Sequence, residues 1–140
     1  MEPDYEEIQR RRREAVPVPF PVMDGIPFPT FSPIRNKGVR EAVNDIKELS
    51  CRKSDIVICA WPKCGTHWVN EILYMLTSNT TELHDKAKSH TMLEALDNFT
   101  LLDALPSPRL LNTHVRFKYL PRELIEKKSK IIQIVRNPKE

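Results

Sequence analysis

Glycine is scarce, with three in 140 residues, and no glycine-serine stretch divides the chain, which therefore reads as one domain or part of one. The amino terminus lacks the apolar core of a signal peptide, and no apolar run is long enough to span a bilayer. A membrane partner is therefore not expected. Cysteine is equally sparse: Cys51, Cys59 and Cys64 are odd in number and show neither a C-x-x-C pair nor Cys/His metal spacing. A disulfide framework and a bound metal are not expected, whereas a reducing, cytoplasmic setting is. Charge of one sign is also lacking. The net +3 owes much to Arg10–Arg13, which sit beside Glu6, Glu7 and Glu14 and read as a solvated helix face over Tyr5–Ala15, not a nucleic-acid patch. There are no internal repeats.

What the chain does have is concentrated between Asp55 and Leu76, DIVICAWPKCGTHWVNEILYML. Ile56 to Ala60 form a nearly unbroken, β-branched apolar run, the signature of a strand buried on both faces. Pro62 ends it. After Gly65 the period becomes helical, with Trp68, Ile72 and Met75 on one stripe and Val69, Leu73 and Leu76 beside them. The loop between, Trp61 to Thr66, places a lysine and a hydroxyl where the helix opens. A helix start carries unpaired N–H groups and a partial positive charge, so this is a candidate anion seat. The order of residues excludes the NTPase signature G-x-x-x-x-G-K-[ST], because Lys63 precedes Gly65 and no glycine opens the loop. An ordinary strand-to-helix turn with a solvated lysine is the plainer alternative for this motif alone.

Ahead of this unit, Val16–Pro33 holds six prolines, with Phe20, Ile26, Phe28 and Phe31 between them, and reads as an extended arm lying against something apolar. We take 1–38 as a proline-rich arm and 39–140 as the body. In the body, Val39–Leu49 has helical spacing, Met92–Asp97 reads as a short helix, Arg109–Thr113 as a second strand, Pro121–Lys127 as a short helix and Lys130–Val135 as a third strand. The alternation argues for α/β architecture, a parallel sheet flanked by helices. In such a sheet the carboxyl ends of the strands share one edge, where ligands bind. Here they finish in the Lys63 loop, in His114 and in Arg136. One rim thus collects an anion loop, an imidazole and a guanidinium.

WPKCGTHW followed by a helix, LPSPRLLNTH followed by LP, and KIIQIVRNPKE, with MDGIPFPTF upstream, resemble in order and spacing the amino-terminal half of the cytosolic sulfotransferases. The likeness covers roughly residue 20 to the end. It implies a three-layer, P-loop-like α/β fold, incomplete at the carboxyl terminus, and transfer of a sulfuryl group from 3'-phosphoadenosine 5'-phosphosulfate to a hydroxyl or amine of a small acceptor. It further implies that Lys63, Cys64, Gly65, Thr66, His67 and Trp68 form the 5'-phosphosulfate loop, with Trp68 near the adenine. His114 falls on the catalytic base, Lys63 assists the leaving oxygen, and Arg136 opens the 3'-phosphate site. Cys64 stands where serine is frequent, His67 where threonine is, and Asn112 where lysine often helps hold the sulfuryl group. Phe20, Phe28 and Phe31 hint at an apolar or aromatic acceptor, although packing into the core is their plainer role. A homodimer is implied for a full-length chain. Two other readings stand beside this one: a truncated nucleotide-binding module without turnover, and a kinase-like enzyme, which the lysine placement and missing metal-binding acids disfavour.

Overall fold

The computed structural model describes residues 6, 10, 14, 19–84, 88–137 and 139. The helix expected over Tyr5–Ala15, Glu6, Arg10 and Glu14 excepted, and the first residues of the arm lie outside that set. The described part of Val16–Pro33, a stretch expected to be extended, is more structured than its prolines suggest. Val22–Met23 (β1) and Ile26–Pro27 (β2) pair antiparallel, Met23 opposite Ile26. The two residues between them, Asp24 (φ 52°) and Gly25 (φ 73°), are both left-handed. That is the backbone of the tight hairpin turn favoured by an Asp-Gly pair. Met23, Ile26 and Phe28 are buried, while Phe20 is exposed. A short helix, α1 (Ser32–Lys37), then starts with Pro33 in its first turn, where the missing N–H costs nothing.

Helix α2 (Val39–Lys47) presents Ala42, Val43 and Ile46 to the core, as the spacing predicts. Strand β3 (Ile56–Ala60) is buried at all five positions. Beyond it come α3 (Thr66–Ser78), α4 (Thr100–Asp103), β4 (Leu110–Thr113), α5 (Arg122–Glu126) and β5 (Lys130–Ile134). The three body strands form one parallel sheet in the order β4-β3-β5, with Val57 opposite both Leu111 and Ile131. This is the α/β arrangement expected from the sequence.

Side chains alternate across a sheet, and the register therefore divides its two faces. Val57, Cys59, Leu111 and Ile131 join α2, α5 and the arm in one apolar core. Ile58, fully buried, turns to the other face, where α3 lies against β3 and β4. Two expectations need correction. The segment Met92–Asp97 is not a helix but a single 3-10 turn, Leu93–Ala95, preceded by a parallel bridge from Met92 to Asn112. Helix α3 buries Thr66 and Asn70, and of the expected stripe Trp68 and Ile72 are exposed while Met75 is half-buried, with Leu76 beside them exposed. Periodicity reveals that a helix has an apolar stripe, but not which face the sheet takes.

Candidate functional site

The site begins where β3 ends. After Ala60 the chain turns through Trp61–Gly65, and two residues adopt the left-handed region, Lys63 at φ 66° and Gly65 at φ 99°. Glycine does so freely, whereas a side chain there costs roughly 1–3 kcal/mol. The fold thus holds Lys63 in a strained conformation at the mouth of α3. Gly65 stands at the N-cap with no side chain to offer, and the first turn contains no acidic residue. The positive end of the α3 dipole accordingly meets no carboxylate from its own first turn.

β4 delivers His114. Its ring Nδ1 lies 2.8 Å from the Ala60 carbonyl oxygen, across the gap between the ends of β4 and β3. A carbonyl only accepts, so Nδ1 donates, and in the neutral ring Nε2 is left as the unprotonated nitrogen. The backbone N–H of His114 donates to Glu94 Oε1 at 2.6 Å, and the Thr113 hydroxyl donates to Glu94 Oε2 at 2.6 Å. Nothing local in the sequence pointed to Glu94. It reaches the site because the bridge between Met92 and Asn112 runs the 88–95 segment alongside β4 and carries Glu94 to the level of His114. Next to it, burial first and the Glu94 carboxylate second push the Cys59 thiol pKa up.

β5 delivers Arg136, which is exposed. Lys63, His114 and Arg136 line one open cleft of about 1030 Å³ at the carboxyl ends of the three strands. Cys64 is also in its wall, as are Arg116 and Phe117 just after His114. Among the described residues the lining contains three formal cations, Lys63, Arg116 and Arg136, and no carboxylate. Trp61, Arg116 and Phe117 were not among the candidate site residues taken from the sequence, although each lies within three positions of Lys63 or His114.

The remaining candidates lie elsewhere. Gly65 and Thr66 form the helix start behind the lining, with Thr66 buried, and His67 and Trp68 point outward, Trp68 78% exposed. Asn112 is buried under the strand, donating to Thr91 Oγ1 at 2.9 Å. Phe28 belongs to the core, its ring 5.8 Å from that of Tyr119, and neither it nor Phe20 nor Phe31 belongs to the cleft wall.

A family model described as "Sulfotransferase domain" matches residues 53–140, from just before β3 to the end of the chain. The chain belongs to the sulfotransferase family. Among sulfotransferase relatives it is 30% identical to human Sulfotransferase 6B1 over 137 residues, covering 96% of this chain and 44% of that protein. It is 31% identical to human Sulfotransferase 2A1 over 121 residues, 84% of this chain and 41% of that one. Among solved structures, mouse sulfotransferase SULT7A1 complexed with PAP superposes with a TM-score of 0.59 at 29% identity, over 84% of this chain and 39% of that chain. The chain thus spans less than half the length of these sulfotransferases.

Proposed function

We propose that this chain carries the donor-binding and base-bearing part of a sulfotransferase that uses 3'-phosphoadenosine 5'-phosphosulfate and a small hydroxyl or amine acceptor, in the cytoplasm. The observation that carries the proposal is the meeting of Lys63, His114 and Arg136 in a single wall at the carboxyl ends of β3, β4 and β5. The residues present suit such a donor. Among the described residues of the lining a polyanion finds three cations and no competing carboxylate, with the open end of a helix beside them. The complex of mouse SULT7A1 with PAP supports the same class of nucleotide.

Bound in the cleft, the donor supplies the sulfuryl group; everything else falls to the chain. Lys63, held over the helix mouth, places a positive charge where negative charge gathers on the leaving oxygen. Thr66, Gly65 and the loop amides hold the 5'-phosphate, with Cys64 and His67 flanking them and Trp68 toward the adenine. Arg136 takes the 3'-phosphate. His114 accepts the acceptor's proton at Nε2, the nitrogen its bond to Ala60 leaves unprotonated. In-line group transfer of this kind is achieved largely by positioning and charge. Asn112, Phe20 and Phe31 are proposed as outlying contributors to the acceptor side, whereas Phe28 is committed to the core.

Binding and turnover test the reading separately. Titration with adenosine 3',5'-bisphosphate against ATP with magnesium should favour the former by at least tenfold. Transfer of radiolabelled sulfate to a panel of phenols, steroids and amines by the full-length protein should identify an acceptor. Preference for ATP with magnesium would refute the donor assignment. Tight bisphosphate binding without transfer would instead select a nucleotide-binding module without turnover.

A further inference from the structure

We infer that Glu94 is the positioning residue of the His114 base, holding the backbone from which the imidazole reaches Ala60 and thereby fixing which ring nitrogen keeps the proton. Glu94 is 2% exposed. Glutamate is almost never buried this far unless it is paired, and its two bonds are to neutral donors, the Thr113 hydroxyl and the His114 N–H. Among the described residues it makes no ion pair. A buried carboxylate without a cation is an expensive way to stabilise a strand end, and an apolar side chain in its place would fill the same space at less cost.

Its geometry points to a more specific use. Oε1 holds residue 114 by its N–H, and Oε2 holds residue 113 by its hydroxyl. The Thr113 hydroxyl oxygen in turn accepts from the Val115 N–H at 3.1 Å. The chain is therefore gripped before, at and after the histidine, and only the ring remains to be fixed, by its 2.8 Å bond to Ala60. The grip is not local in sequence: Glu94 comes from the preceding turn, carried in by the bridge to β4. If the grip is lost, residues 113–115 can move, Nδ1 can leave the carbonyl, and the ring is free to take the Nε2–H tautomer. That tautomer cannot accept a proton at Nε2.

The consequence for turnover rests on the sulfuryl-transfer reading, but the tautomer does not, and it can be read without activity. Two-bond ¹⁵N correlation of the histidine rings at about pH 8.5, where imidazole is neutral, should show His114 in the Nδ1–H form. In Glu94→Gln, which still offers one oxygen to the His114 N–H, that form should persist. In Glu94→Ala the Nε2–H form should rise at least threefold, with backbone amide shifts away from the site unchanged. Should Glu94→Ala not fold, Thr113→Val breaks the same grip at its second point and should shift the ratio in the same direction. An unchanged ratio in whichever variant folds would overturn the inference, as would an equal shift in Glu94→Gln, or the failure of both Glu94→Ala and Thr113→Val to fold. In the full-length enzyme, Glu94→Ala should lower kcat about 10- to 100-fold with little change in donor KM, and Glu94→Gln should recover most of it. A wild-type protein with the expected tautomer and no transfer would count against the enzymatic reading and leave the role of Glu94 standing.

Discussion

The two ends of the three-stranded sheet solve opposite problems with the same residue types. At the amino ends, Asp55 and Arg109 form a buried, two-pronged pair, Nε to Oδ1 at 2.8 Å and Nη2 to Oδ2 at 2.6 Å, with side chains 0% and 1% exposed. The remaining capacity is used as well: Asp55 Oδ2 accepts from the Arg52 N–H, and Arg109 donates to the Ser50 carbonyl. Burial first, and the Asp55 charge second, push the nearby Cys51 thiol up to about 12. At the carboxyl ends, Lys63, Arg116 and Arg136 share a wall that, among the described residues, holds no carboxylate. One end is closed by internal neutralisation, while at the other the described cations face an open cleft. A buried pair that satisfies itself is a feature of the fold, and a set of cations facing a cleft is a feature of binding.

The comparison breaks first if the amino end can be disarmed cheaply. Asp55→Ala leaves the Arg109 guanidinium buried without its partner and should cost about 3–5 kcal/mol, read from denaturant unfolding. His114→Ala, at the opposite end, should lower sulfuryl transfer by about 100-fold or more in the full-length protein while changing stability by about 1 kcal/mol or less. Bisphosphate binding should survive that change. Lys63→Gly should separate strain from function, relieving the left-handed backbone by about 1 kcal/mol and weakening bisphosphate binding about tenfold. If Lys63→Gly destabilised the protein, the strain argument at the rim would fail.

The smallest effect concerns the hairpin that braces the segment after His114. Asp24 accepts from the Tyr119 hydroxyl at 2.6 Å and from Lys118 at 3.3 Å, and these bonds, Tyr119 first, hold its carboxyl below the usual range. A carboxylate with a depressed folded pKa stabilises above its unfolded value and loses that contribution as pH falls through the folded one. The Tm gap between the protein and Asp24→Asn should therefore be constant above about pH 5 and narrow below about pH 4. A gap that widened in acid would reverse the assignment.

The sequence was legible where structure is local. The apolar run at Ile56–Ala60 became β3 at those bounds, and the strands before His114 and Arg136 were misjudged by a single residue each. The Asp24-Gly25 turn was equally local and was overlooked because the surrounding prolines drew the reading toward an extended arm. Phe28 was open to two roles, and it sits in the core. Trp68, Ile72 and Met75 show the limit of periodicity, since the first two face outward and Met75 is only half-buried. Glu94 shows a deeper limit, because no spacing or neighbour marks a lone glutamate as the residue that will hold a histidine twenty positions away.

By itself the sequence determined the strands, their common direction and therefore the rim to which Lys63, His114 and Arg136 would come, because β-branched runs and turn residues act over a few positions and a parallel sheet puts all its strand ends together. Only the tertiary structure decided which charges were cancelled and which were left facing the cleft, and how the imidazole was held. Those outcomes depend on burial and on hydrogen bonds between residues distant in the chain, such as Asp55 with Arg109 and Glu94 with His114, which become neighbours only when the sheet has closed.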